Sequence, residues 1–223
     1  MACFLLICFY FLSRQAAAVS VWMNSETAEK KTDVIVLDPG HGGSDPGMIG
    51  IDGLEEKGIN LSVSLLLKEK LEEKGYTVVL TREEDKGLYD SSAANKKAQD
   101  MQRRIALIDE TAPALTVSIH QNSYHDPVVK GPQVFYYETS SEGKELAADL
   151  QESLNTTLEV ERPREIKGNT SYYLLKRSKG VLVIAECGFL TNPDEAALLQ
   201  TGDYQKKVAS ALADGIFTYL QKQ

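Results

Sequence analysis

Val34-Ile-Val-Leu-Asp-Pro-Gly-His-Gly-Gly-Ser44 is the stretch that decides the fold. Val34 to Leu37 are four apolar β-formers, and Pro39, Gly40, Gly42 and Gly43 stop the strand abruptly. A turn this rich in glycine lets backbone and ligand approach closely, and it sets His41 at the carboxyl end of a strand. In open α/β sheets that edge is where ligands and catalytic groups gather. The chain holds three histidines, so one placed in such a turn is a candidate functional group. The alternative for this segment alone is a capped histidine in a surface loop.

Outward from this turn, strand-like and helix-like segments alternate. Leu61, Leu65 and Leu66 recur at helical spacing between Asn60 and Lys74, with Gly75 as the stop. Tyr76–Leu80 reads as a second strand, Ala94–Glu110 as an amphipathic helix, and Leu115–Ile119 as a third strand ending at His120. Gln133–Tyr137 predicts a strand, and Lys144–Leu158 a helix with Leu146, Leu150 and Leu154 four residues apart. Tyr172–Leu175 reads as a short strand or extended segment, Val181–Ala185 as a buried strand, and Asp203–Leu220 as a closing helix. This alternation predicts a single α/β domain from residue 33 to 223. Its mostly parallel twisted sheet of about six strands carries helices on both faces.

The chain has 223 residues, 43% hydrophobic and 25% charged, which fits a soluble globular domain with a substantial core. A net charge of −8 and the lack of any basic run argue against a nucleic-acid partner. Residues 1–18 differ in kind. Ala2 to Leu12 is almost continuously apolar but too short to span a bilayer, and Ala16-Ala17-Ala18 suits signal-peptidase cleavage. The segment is expected to be a signal peptide or a membrane anchor, and either points to export; residues 19–32 read as a linker. Cys3 and Cys8 lie in the leader, leaving Cys187 alone beyond it, so no internal disulfide is expected there. Ile7 before Cys8 is a poor lipoprotein signal.

Three strand ends carry chemistry: His41, His120 and Glu186. Parallel strands bring such ends to one edge, and the acidic pair Glu55-Glu56 lies between the first strand and the first helix. Two imidazoles and one carboxylate bind Zn²⁺ and leave a position for water. A second carboxylate, off the metal, can then accept the water's proton. Taken singly each residue has a structural alternative. His120 can bond neighbouring backbone, Glu186 can cap a helix or pair with a lysine, and the acidic pair can be solvated at a helix start.

Four motifs in order give these residues a context: Asp38-Pro-Gly-His-Gly-Gly43, Gly53-Leu-Glu-Glu-Lys57, Ser118-Ile-His-Gln-Asn122 and Glu186-Cys-Gly-Phe-Leu-Thr-Asn192. Together they resemble the zinc-dependent N-acetylmuramoyl-L-alanine amidases of the amidase-3 type, from Asp33 to the C-terminus. Pro163 to Leu175 is most similar to the germination-specific subgroup of spore-formers. The resemblance implies one Zn²⁺ per chain held by His41, Glu56 and His120, with Glu56 chosen over Glu55 because it precedes Lys57. It implies Glu186 as the general base and the bond between N-acetylmuramic acid and L-alanine of peptidoglycan as the target. It also implies location in the cell wall or spore cortex region. His125 falls outside every motif and is expected in a loop. Gln121 and Cys187 depart from the family's usual small and aliphatic residues.

The segment from Lys57 to Leu115 holds only a helix, a strand and a helix, with none to spare for self-inhibition. Control is therefore expected from expression, location or an accessory protein. The glycines of the first turn are expected to keep it small enough for metal and glycopeptide to share the edge. Two other readings keep the same residues: a zinc carboxypeptidase or deacetylase of the wall, and an inactive wall-binding scaffold.

Overall fold

The computed structural model describes residues 33–223; the leader and linker expected at 1–18 and 19–32 lie outside the described residues. Strands β1 (Val34–Pro39), β2 (Thr77–Leu80), β3 (Leu115–Asn122), β4 (Gln133–Tyr137), β5 (Lys167–Asn169) and β6 (Leu182–Phe189) form one sheet in the order β2-β1-β3-β6-β4-β5. The first three and β6 run parallel, whereas β4 runs antiparallel to β6 and parallel to β5. Every residue of β6 is buried, the pattern of a central strand covered on both faces.

The helices divide between those faces. Helices α1 (Glu56–Glu73), α3 (Ser141–Thr157) and α6 (Gly202–Lys222) pack on the side of Ile35, Leu37, Val117, Val183 and Ala185. Helix α2 (Lys96–Thr111) and the short α4 (Tyr173–Arg177) cover Val36, Phe135, Leu182 and Ile184 on the other. A last short helix, α5 (Pro193–Leu199), is capped by Asn192, whose side chain accepts from the Glu195 N–H. Leu146, Leu150 and Leu154 are fully buried along one side of α3, so each cut back to alanine costs about 2–5 kcal/mol.

One local expectation changes. Past Tyr172, which caps it, the expected strand Tyr172–Leu175 is helix, because Leu174 and Leu175 must both turn into the α2-side core, which consecutive residues of a strand cannot do. The extended segment lies just upstream, at Lys167–Asn169. The three-stranded centre β1-β3-β6 matters most, since its carboxyl ends lie side by side. Its register pairs Asp38 with Ser118, and His120 with Glu186.

Candidate metal centre and hydrolytic cleft

His41, Glu56 and His120 meet at that edge, with one nitrogen or oxygen from each lying within 4.8 Å of the others. Glu56 opens α1, and its carboxylate sits between the imidazoles. One oxygen is 3.1 Å from His41 Nε2 and the other 2.9 Å from His120 Nδ1. The same carboxylate accepts from the backbone N–H groups of Met48 and Gln121 and from the Asn60 amide. Burial alone would raise its pKa. Hydrogen bonds and charge from His120 and His41 outweigh burial and hold it far below the ordinary carboxylate range. Glu55 instead stays half exposed and pairs with Lys57.

His41 has a φ of 63°, the left-handed region that few non-glycine residues adopt. Surrounding bonds hold it there: Asp45 Oδ2 lies 3.0 Å from His41 Nδ1, and Arg104 donates to the His41 carbonyl at 2.6 Å. For His120, burial lowers the pKa, but the Glu56 hydrogen bond and charge, helped by Glu186, lift it to about 8.

Glu186 lies opposite His120 on the neighbouring strand, 9% exposed, and its Oε2 finds no hydrogen-bond partner among the described residues. Burial pushes its pKa up, Glu56 adds to this, the histidines oppose it, and the balance stands at about 7. A buried carboxyl poised near neutrality, with one oxygen uncommitted, is suited to accept and return a proton.

Beneath these residues lies a buried network that the pattern of the sequence does not reveal. Asp38 accepts from Thr81, Ser118 and Arg104, each at 2.6 Å. Arg104, 1% exposed, also binds the Pro39 carbonyl and Asp100. Arg82 holds the Pro39, Gly40 and Lys57 carbonyls. The one legible signal for Arg104 is its place four residues before Ile108, on the buried side of α2.

These residues fall within a match to the family model described as N-acetylmuramoyl-L-alanine amidase, which spans residues 35–218. The chain belongs to that amidase family. The germination-specific N-acetylmuramoyl-L-alanine amidase of Bacillus subtilis is 36% identical over 193 residues, covering 85% of this chain and 81% of that protein. The CwlD amidase of Clostridioides difficile, solved in complex with the GerS lipoprotein, superposes with a TM-score of 0.83 at 37% identity. That match covers 85% of this chain and 99% of that one. The AmiC2 amidase of Nostoc punctiforme gives a TM-score of 0.74 at 30% identity, covering 86% and 99%.

In this amidase the four groups line one cleft of about 540 Å³, a size that takes a small ligand. Met48, Tyr172 and Tyr173 wall it, and Lys97 and Asp100 stand on the α2 side. His125 lies in the loop after β3, its ring 4.1 Å from that of Tyr124, and does not line the cleft. The two departures from the family pattern lie buried on adjacent strands: Gln121 on β3 donates to Asn60, and the Cys187 thiol on β6 donates to the Ala185 carbonyl.

The glycines of the turn serve the protein's own packing. A Cβ at Gly42, where φ is 128°, would come within 2.6 Å of the Lys86 carbonyl and 2.9 Å of Arg82. One at Gly40 would strike the His120 ring at 2.2 Å. The turn is tight because the His120 ring and the loop around Arg82 and Lys86 lie against it.

Proposed function

We propose that this amidase cleaves the amide between N-acetylmuramic acid and L-alanine of peptidoglycan at a zinc centre held by His41, Glu56 and His120. Glu186 is its general base. The observation that carries the reading is the placement of Glu186 in register with His120, its Oε2 buried and unpartnered beside a His-Glu-His cluster. Two imidazoles and an ionised carboxylate are the donor set zinc favours, and an unpartnered buried oxygen fits a group awaiting a water proton. A zinc ion held there supplies Lewis acidity to the scissile carbonyl and lowers the pKa of water.

The chain's own residues do the rest. Glu56 stays ionised and fixes both rings, and Asp45 orients His41 through its other ring nitrogen. Glu186 takes a proton from the attacking water and returns it to the departing amide nitrogen, freeing a stem peptide with an L-alanine amino terminus. Similarity to the germination-specific relative supports action on the spore cortex outside the cytoplasm. The GerS complex of the Clostridioides difficile amidase supports an accessory protein for this chain too. No described helix is long and apolar enough to cross a membrane, and export through residues 1–18, as a signal peptide or a retained anchor, is part of the same proposal.

The test is digestion of purified peptidoglycan with wild-type and Glu186→Gln protein, with and without chelator, read by mass spectrometry. Glu186→Gln should keep its metal and lose roughly 10²–10⁴ in rate. Release of stem peptides by the variant at the wild-type rate would overturn the assignment. Products lacking an L-alanine amino terminus would point to a carboxypeptidase or deacetylase instead.

A further inference from the structure

The cleft does not end at the chemical groups. Lys97, Met101 and Tyr173 line it and also line an adjoining depression of about 340 Å³, completed by Asn95, which caps α2, and by Ala98 and Gln102 on that helix. The two cavities therefore share a wall. Tyr173 is 45% exposed although its neighbours Leu174 and Leu175 are anchored in the core at 4% and 5%. A helix rooted in the core thus holds an open aromatic ring at the junction, with the Arg177 guanidinium 5.8 Å from the ring centre. Among the described residues no carboxylate lines this depression, and Lys97 brings its one charge. A third hollow, which shares Lys97 with the other two, is lined by Ser44, Asp45, Tyr89, Lys96 and Asp100 and is strongly charged.

The scissile bond joins a sugar to a peptide, so a bound substrate must leave the centre in two directions. Resting on the amidase reading above, we infer that the Tyr173 depression is a saccharide subsite. It takes a neutral pyranose ring of the glycan strand, with the apolar C–H face against Tyr173 and Met101 and the hydroxyls toward the amides of Asn95 and Gln102. The charged hollow across Lys97 is left to the ionised peptide arm. An exposed aromatic beside neutral amide groups matches a sugar, which is apolar on its faces and hydrogen-bonding at its rim.

The experiment compares kcat and KM on two substrates: a glycan oligomer bearing stem peptides, and a single N-acetylmuramoyl peptide with no further sugar. Tyr173→Ala should raise KM for the oligomer about tenfold more than it raises KM for the single-sugar substrate, a difference equivalent to about 1.4 kcal/mol. Tyr173→Phe should behave as wild type, since stacking needs the ring and not the hydroxyl. Ala98→Trp fills the depression from an exposed helix position without touching the core, and should reproduce the selective loss. Equal losses on both substrates would assign the depression to the peptide arm and overturn the proposal, as would no loss on either. A wild-type protein that cleaves neither substrate overturns the amidase reading itself, and the subsite with it.

Discussion

Gly40→Ala adds one methyl group directly against a proposed metal ligand. The new Cβ would lie 2.2 Å from His120 Cε1 and 2.3 Å from Nε2, where ordinary contact begins at 3.4 Å. Gly40 cannot easily retreat. Its N–H donates to the Ile119 carbonyl at 3.0 Å, and its own carbonyl accepts from Asn60 and Arg82. The ring must therefore move by about 1.2 Å, several times the ~0.2 Å latitude of a metal–ligand distance. Removing a group that merely orients a ligand weakens metal binding about 10–100-fold, so displacing the ligand should cost at least about 100-fold. The fold should survive, because overpacking typically costs about 1–3 kcal/mol and Gly40 is not in the left-handed region. The assay is chelator competition for zinc beside denaturant unfolding of the metal-free protein. Gly58→Ala is the control: it lies in α1, and its Cβ would meet nothing within 4 Å. It should bind metal normally and gain about 0.5–1 kcal/mol of stability. A Gly40→Ala protein with wild-type zinc affinity would refute the steric reasoning.

Two further outcomes concern the buried groups. Burial raises the Asp38 pKa, but Arg104, Ser118 and Thr81 more than reverse this and lower it to about 2 from 3.8. Because the folded-state value is the lower one, the contribution is complete above about pH 4 and lost as pH falls through 2. It should amount to about 2 kcal/mol in denaturant unfolding. Asp38→Asn should be less stable at neutral pH and flatter across this window, and parallel profiles would sink the linkage. Cys187 is fully buried and its thiol is pushed well above the ordinary range by burial, with Glu186 adding to it. It should resist alkylation in the native protein and react only after unfolding. Peptide mapping that found Cys187 modified under native conditions would contradict the packing.

The α/β architecture was legible because its central strands announce themselves. Val34–Leu37 and Val181–Ala185 are continuous apolar runs, Leu115–Ile119 alternates apolar residues with Thr116 and Ser118, and each leads toward a residue capable of chemistry. Those ends meet because the strands carrying them are parallel neighbours. The reversal of β4 was not legible, since a strand's sequence pattern is the same in either direction. Nor was α4, whose few apolar residues suit a strand or a helix equally and are decided by the core they must fill. Arg104 was hidden for a related reason. A long charged residue on an amphipathic helix normally reaches water, and only the tertiary fold shows that this one reaches Asp38 and the His41 carbonyl instead.

The strand order also governs when the enzyme becomes dangerous. β6 follows β4 and β5 in the chain yet lies between β3 and β4. Synthesis runs from the amino end, so the middle of the sheet is delivered late and must insert between strands already made. His41, Glu56 and His120 all precede it, whereas Glu186 arrives on it. An incomplete chain can thus carry every proposed ligand and still lack the proposed base. On that assignment, activity against the wall requires β6 to be in place between β3 and β4.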